Sequence, residues 1–176
     1  MEIYADNAAT TKMSRAAMEA MLPYMDQIYG NPSSVHAAGR KAAEAVSRAR
    51  RSIAALLGCE ARELTFTSGG SESDNQAIRS AAAMGKRRGK THIISTKFEH
   101  HAVLNTLKRL EEEGFDVTLL DVSPEGIVAA EDVERAIRPE TCLVTVMYAN
   151  NEVGTVQPIA EIGILWRSDL TSRRKP

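Results

Sequence analysis

Residues 64–84 read LTFTSGGSESDNQAIRSAAAM, and residues 92–96 read HIIST. The pattern predicts a strand at Leu64–Thr67, a turn at the two glycines, and a helix over about Ser71–Met84. A second strand is expected at His92–Thr96. Two strands joined by a helix of this length form a right-handed βαβ unit whose strands run parallel. This stretch therefore predicts an α/β fold.

The same alternation of helices and strands continues on both sides of this unit. Upstream, Ser14 is a suitable N-cap for a first helix, and a second helix is expected at about Val35–Leu57, where Gly58 ends it. Downstream, four further elements are expected: a helix at about His101–Glu113, a strand at Val117–Leu120, a short helix at Ala130–Ile137 and an apolar strand at Cys142–Tyr148. The chain therefore predicts a mostly parallel sheet with helices packed against it.

Composition excludes several classes of protein. The chain has 176 residues, 43% of them apolar and 26% charged, and its net charge is −1, which excludes a disordered acidic chain and a strongly basic nucleic-acid binder. No apolar run is long enough to span a bilayer, and the N-terminus lacks the apolar stretch of a signal peptide. Two cysteines, Cys59 and Cys142, do not make a disulfide framework or a zinc site. We expect a cytoplasmic protein that binds neither nucleic acid nor membranes.

The turn at Thr67–Ser73 is the first candidate site. Its two glycines let the backbone approach a ligand closely, and the helix that follows presents free N–H groups to an anion. The hydroxyls of Thr67 and Ser71 add further donors. A phosphate group suits these features, although the turn has neither the Walker pattern nor the dinucleotide spacing. A tight turn in which Ser71 only caps a helix is the alternative interpretation.

Two further turns leave the predicted strand ends, where open α/β sheets bind ligands. The first reads FEHH at residues 98–101, where the imidazole of His100 is suited to stacking on a planar ring or to acid–base chemistry. The second reads NNEVG at residues 150–154, and its amides are suited to orienting a hydroxyl or a carboxylate. A solvated or capping histidine and an ordinary Asn/Gly turn are the alternatives.

Five stretches resemble one family when they are taken in order. They are DNAATT at residues 6–11, GNPSSVH at 30–36, FTSGGSESDNQAI at 66–78, EHHAVL at 99–104 and NNEVGTVQPI at 150–159. In wording and spacing they resemble the cysteine desulfurases, which are pyridoxal 5'-phosphate enzymes of the class V aminotransferase group. The resemblance runs from about Ile3 to Gly163. It implies a three-layer α/β fold, the partial large domain of the fold type I architecture of these transferases.

The resemblance also implies roles for individual residues. Gly70 and Ser71 would hold the cofactor phosphate, His100 would stack on the ring and assist proton transfers, and Asn151 would bind near the ring hydroxyl. Asn7 would reach toward the substrate. The implied reaction takes sulfur from L-cysteine, leaves alanine, and forms a persulfide for an iron–sulfur scaffold or another sulfur acceptor. The family implies a homodimer.

The sequence departs from the family after Gly163. The Asp-Ala-x-Gln segment and the Ser-x-His-Lys segment, which carries the cofactor-binding lysine, do not occur, and neither cysteine matches the family nucleophile. We therefore expect an N-terminal arm and helix at residues 1–30, a partial cofactor-binding domain at 31–163 and an atypical basic tail at 164–176. The chain alone is expected to be inactive, as a truncated or frameshifted product or one part of a split enzyme.

Two further interpretations stay open at the level of sequence. In one, the chain is a non-catalytic remnant or an interaction module that keeps a cofactor-shaped surface. In the other, it belongs to another class V enzyme, such as a selenocysteine lyase or a small-molecule aminotransferase. The wording of FTSGGSESDN at residues 66–75 and of NNEVG at 150–154 favours the desulfurase.

Overall fold

A computed structural model describes the backbone of residues 3–172 and the side chains of residues 3–167. These residues divide into two compact units, and the division falls between Phe66 and Thr67. The predicted domain boundaries after residues 30 and 163 stay predictions. The start of the predicted tail belongs to a regular helix that extends to Ser172, whereas its basic end, residues 173–176, lies outside the described residues.

The first unit contains two helices and a short 3-10 turn. Helix α1 spans Arg15–Asp26, and the Ser14 hydroxyl caps it by accepting the N–H of Ala17 at 3.2 Å. Helix α2 spans Ala37–Leu57 and ends, as predicted, at Gly58, whose φ of 68° is in the left-handed region that favours glycine. The 3-10 turn covers Ala61–Glu63.

The second unit is built on a three-stranded parallel sheet. Its strands are β1 (His92–Thr96), β2 (Asp116–Leu120) and β3 (Thr141–Val144), in the order β2-β1-β3. Its helices are α3 (Gly70–Lys86), α4 (His101–Glu112), α5 (Ala130–Ala136) and α6 (Ile159–Ser172). Both strand pairs are parallel, because each connection returns through a helix.

The sheet lies between two layers of helices. Ile93 packs on one face with Ile78 of α3 and Leu107 of α4. Its neighbour Ile94 packs on the opposite face with Val133 of α5 and with α6. Successive side chains of a strand point to opposite faces, so a continuous apolar run is what a strand buried on both sides needs. The predicted three-layer α/β architecture is confirmed.

Two strand predictions are wrong in detail. Residues 64–67 form no strand within the described part of the chain: Leu64 is extended, but its carbonyl accepts a hydrogen bond from the Arg50 guanidinium instead of pairing in a ladder. The last strand was expected at Cys142–Tyr148 and ends at Val144. Val144 pairs with Ile94, and the N–H of Thr145 still donates to the Ile94 carbonyl at 2.9 Å, but β3 does not pair with the last two residues of β1, which continues to Thr96.

No helix of the described residues has the length and hydropathy needed to cross a membrane.

His92 joins all three strands at the beginning of β1. Its Nδ1 lies 2.7 Å from the Thr141 hydroxyl on β3, and its Nε2 lies 2.9 Å from the Thr118 hydroxyl on β2. The ring is fully buried. Burial lowers the pKa of His92, the positive charge of Arg138 lowers it further, and the carboxylates of Asp116 and Glu140 oppose both. The neutral ring is therefore the form that the folded sheet contains.

The stability of the chain should depend on the protonation of His92. The folded chain binds a proton at this ring less readily than the unfolded chain, so the contribution of His92 is complete above the unfolded pKa of 6.5 and is lost as the pH falls below it. We expect the free energy of unfolding, measured by urea denaturation, to fall between about pH 7 and pH 5. His92→Gln should flatten this slope. His101→Gln, at an exposed histidine, should keep it, and an equal slope in the two variants would contradict the prediction.

Gly85 permits close contact between α3 and β3. A Cβ added at this position would lie 2.4 Å from the Cβ of Cys142 and 2.6 Å from its Sγ. We expect Gly85→Ala to destabilise the chain by about 1–3 kcal/mol, because the helix must move away from the strand. Gly163→Ala is the matched control in α6, where an added Cβ meets no atom within 4 Å. There alanine should be neutral or should stabilise the chain by up to about 1 kcal/mol. Equal denaturation midpoints for the two variants would exclude the contact.

Candidate functional site

The first turn of α3 presents unpaired backbone donors. The N–H groups of Gly70, Ser71 and Glu72 have no acceptor within the helix, and among the described residues none accepts from them. The N–H of Ser73 donates to the carbonyl of the N-cap residue, Gly69, at 3.1 Å. Three adjacent donors at the positive end of a helix form a site suited to an anion.

Hydrogen bonds around this turn hold its shape. The hydroxyls of Thr67 and Ser73 lie 2.6 Å apart. The Glu72 carboxylate accepts from the N–H of Ser68 at 2.7 Å and from its hydroxyl at 2.5 Å, and these bonds lower the pKa of Glu72. The hydroxyl of Ser71 forms no such bond among the described residues and remains available to a ligand.

The two glycines of this turn leave open space. A Cβ added at Gly69 or at Gly70 would meet no atom within 4 Å. The φ of Gly69 is 166°, which is extended backbone that any residue adopts, so strain does not require glycine there. Both glycines are exposed, so the backbone of this turn is accessible to an approaching ligand.

A cavity of about 240 Å³ lies where the turns after β1 and β3 come together. His100 is on one side of it and is the N-cap of α4, where its Nδ1 accepts the N–H of Ala102 at 3.0 Å. Nδ1 is therefore the unprotonated nitrogen of the neutral ring, and Nε2 carries the proton. The ring of His101 is tilted by 59° from that of His100, with 6.3 Å between the centroids. The two adjacent rings do not form a parallel pair.

Asn150 and Asn151 line the opposite side of this cavity and differ in their hydrogen bonds. The Oδ1 atom of Asn150 accepts from the N–H groups of Glu152 at 2.8 Å and Val153 at 3.0 Å, so it holds its own turn in place. The side chain of Asn151 is exposed and makes no such bond among the described residues. Asn151 is therefore the amide that is available to a bound molecule.

Glu99 connects the two sides of the cavity. Its Oε1 accepts the N–H of Met147, after β3, at 2.5 Å. Burial raises the pKa of the Glu99 carboxyl, the bond from Met147 opposes this rise, and the nearby negative charge of Asp74 adds to it. Asp74 belongs to α3.

Asn75 connects α3 to α4. Its Oδ1 accepts the hydroxyl of Thr106 at 2.7 Å, and its Nδ2 donates to the carbonyl of Ser71 at 2.9 Å. Thr106 is buried, and its hydroxyl oxygen also lies 2.8 Å from the carbonyl of Ala102, which competes for the same proton. One amide therefore joins the first turn of α3 to the first turns of α4, the helix that His100 caps.

Four of the five residues that the sequence singled out lie in the second unit. Gly70 and Ser71 are at the start of α3, and His100 and Asn151 line one cavity. Asn7 lies in an exposed turn of the first unit, and its role stays a prediction. Sequence reasoning assigned no role to Glu99 or Asn75. Glu99 carried one signal, a carboxylate directly before the candidate histidine, whereas the partner of Asn75 is 31 residues away.

Comparisons with known proteins agree with this arrangement. The family described as Aminotransferase class-V matches residues 3–170. The "Putative cysteine desulfurase IscS 1" of Bacillus subtilis (strain 168) is 53% identical over 163 residues, which are 93% of this chain and 43% of that protein. The "Cysteine desulfurase IscS" of Methanosarcina thermophila is 49% identical over 92% of this chain and 40% of that protein.

Solved structures share the same fold. One described as "NIFS-LIKE PROTEIN" superposes with a TM-score of 0.92 at 38% identity and covers 96% of this chain and 46% of its own. Another, "SspA in complex with cysteine", has a TM-score of 0.87 at 43% identity and covers 94% of this chain and 48% of its own. The chain thus spans less than half the length of these relatives.

Removing the Asn75 amide should loosen the contact between α3 and α4. We expect Asn75→Ala to lower the free energy of unfolding by about 1 kcal/mol, because two hydrogen bonds are lost and Thr106 keeps one partner. Asn105→Ala is the matched control, since Asn105 is exposed on α4 and should change stability by less than about 0.5 kcal/mol. Urea denaturation of the full chain measures both. An Asn75→Ala variant as stable as the control would show that the link contributes nothing.

Proposed function

Because the chain belongs to the class-V aminotransferase family, we propose that it is the N-terminal part of a cysteine desulfurase that uses pyridoxal 5'-phosphate. The reaction takes sulfur from L-cysteine and adds it to an enzyme thiol, giving alanine and a persulfide for an iron–sulfur scaffold or another sulfur acceptor. One observation carries the proposal: the free N–H groups of α3 lie in the same unit as the cavity of His100 and Asn151.

The start of α3 fits the phosphate of this cofactor. The N–H groups of Gly70, Ser71 and Glu72 would donate to its oxygens, and the Ser71 hydroxyl would add a fourth donor. The open space at Gly69 and Gly70 would admit the group without moving any side chain. The carboxylate of Glu72, which would repel a phosphate, is held by Ser68.

The cavity fits the ring of the cofactor. The imidazole of His100 would lie against the ring, and because Nδ1 accepts the Ala102 N–H, the Nε2–H of the neutral ring is the group that can donate a hydrogen bond to a bound molecule. The amide of Asn151 would donate to the ring hydroxyl from the other side. Bound pyridoxal phosphate supplies an electron sink, and these residues bind and orient it.

The proposed activity needs more than this chain supplies. The sequence lacks the Ser-x-His-Lys segment and the segment with the nucleophilic cysteine, and the chain spans 40–43% of the length of its curated relatives. Cys142 is half-buried and burial raises the pKa of its thiol, so it is poorly suited to the role of nucleophile. We therefore propose that the isolated chain is inactive.

Exposed apolar surface on α1 supports the proposed assembly. No residue of α1 is buried, and its apolar side chains Met18, Met21, Leu22 and Met25 are exposed. An apolar face of this kind marks an interaction site. A homodimer, or the remaining part of the enzyme, would cover it. We propose that the assembled enzyme acts in the cytoplasm.

Pyridoxal phosphate binding tests the proposal. We expect the full chain to bind the cofactor in equilibrium dialysis, and Ser71→Ala to weaken binding by about tenfold, because one hydrogen bond to a charged oxygen is lost. Gly70→Val should abolish binding by filling the space in front of the donors, although nothing in the folded chain contacts that space. Ser80→Ala, at an exposed serine further along α3, is the control and should bind normally. If the control and the Gly70 variant bind alike, the phosphate does not lie at this turn.

A further inference from the structure

Two turns form the walls of the cavity. The histidine turn, residues 97–101, leaves β1, and the asparagine turn, residues 147–153, follows β3. The asparagine turn is shaped internally by an antiparallel bridge between Ala149 and Val156 and by the side chain of Asn150. These bonds fix its own shape, and pairing of β1 with β3 brings the ends of the two strands together. A side-chain contact between the two turns would add to their relative placement.

The Glu99 side chain makes that contact. Within the described residues, its bond to the Met147 N–H is the side-chain hydrogen bond that joins the histidine turn to the asparagine turn. Glu99 directly precedes His100, and Met147 lies four residues before Asn151. Movement of Glu99 or Met147 would therefore move His100, which is the next residue, and Asn151, which lies in the same turn as Met147.

The placement of a carboxylate here is unfavourable unless the contact compensates for it. Glu99 is half-buried, and the negative charge of Asp74 on α3 lies close enough to raise its pKa further. The charged groups that line the same cavity are Lys97 and Glu152, together with the two histidines. Lys97 forms an ion pair with Asp121 at 2.8 Å, so its charge is paired with that carboxylate and not with Glu99. The Met147 N–H is the donor that satisfies the carboxylate.

We propose that Glu99 is a positioning residue that sets the distance between His100 and Asn151. This inference rests on the proposed function, since that function has the histidine turn and the asparagine turn bind the ring of the cofactor. The phosphate donors of Gly70 and Ser71 belong to α3 and make no hydrogen bond to Glu99 among the described residues. Loss of the contact should therefore weaken recognition of the ring and leave recognition of the phosphate unchanged.

The test compares two ligands across a set of variants of the full chain. Pyridoxal phosphate carries both ring and phosphate, and inorganic phosphate, followed by phosphorus NMR, carries the phosphate alone. Glu99→Ala removes the contact, whereas Glu99→Gln keeps an oxygen that can accept the Met147 N–H. Glu99→Asp keeps the charge but shortens the reach. Glu111→Ala, at an exposed glutamate of α4, is the matched control.

We expect Glu99→Ala and Glu99→Asp to weaken pyridoxal phosphate binding by about tenfold, the loss of one hydrogen bond to a charged group. Glu99→Gln and the control should stay within about twofold of the parent chain. Inorganic phosphate should bind all of them equally. Hydrogen exchange at the Met147 amide should be about tenfold faster in the alanine and aspartate variants than in the parent chain and in Glu99→Gln.

Each departure from this pattern has a definite meaning. Equal loss of both ligands in Glu99→Ala, or no rescue by glutamine, would overturn the positioning role and indicate general loosening of the fold. If Glu99→Ala does not fold, Glu99→Asp decides by the same criteria. If the parent chain binds inorganic phosphate but not pyridoxal phosphate, the proposed function fails. The rate of hydrogen exchange at the Met147 amide then supports or overturns the contact between the two turns by itself.

Discussion

Both faces of strand β1 are buried, and the second unit depends on this burial. Ile93 and Ile94 have no exposed surface, and each is the centre of one apolar cluster. Because β1 lies between β2 and β3 and runs parallel to both, the carboxyl ends of all three strands share one edge. The turns that follow β1 and β3 therefore meet there, which is where open α/β sheets bind their ligands.

At this edge, the first N–H groups of α3 have no acceptor among the described residues. Three carboxylates lie nearby, on Glu72, Asp74 and Glu99. Two of them accept backbone N–H groups of residues outside the first turn of α3, namely Ser68 and Met147. The donors of Gly70 and Ser71 consequently remain unpaired among the described residues, and an external anion is the group that would satisfy them.

Apolar surface is exposed at both ends of the described chain. Five large hydrophobic side chains of α1 are exposed, as is Ile164 of α6. The sheet has three strands, so β2 and β3 each have one edge without a partner strand among the described residues. The relatives are more than twice as long. In the proposed enzyme, a second subunit and the remaining segments would cover these surfaces.

The sequence by itself determined the α/β class and the bounds of β1, because apolar periodicity is a local property. It also singled out four residues of the second unit as site candidates, because the chemistry of short turns is local too, and their roles stay predictions. It did not determine that Leu64–Thr67 stays unpaired or that β3 ends at Val144, since a strand exists only where a neighbour pairs with it. Only the tertiary structure decided the contacts of Glu99 with Met147 and of Asn75 with Thr106. These hydrogen bonds join residues tens of positions apart, and no local pattern encodes which donor a buried carboxylate or amide will meet.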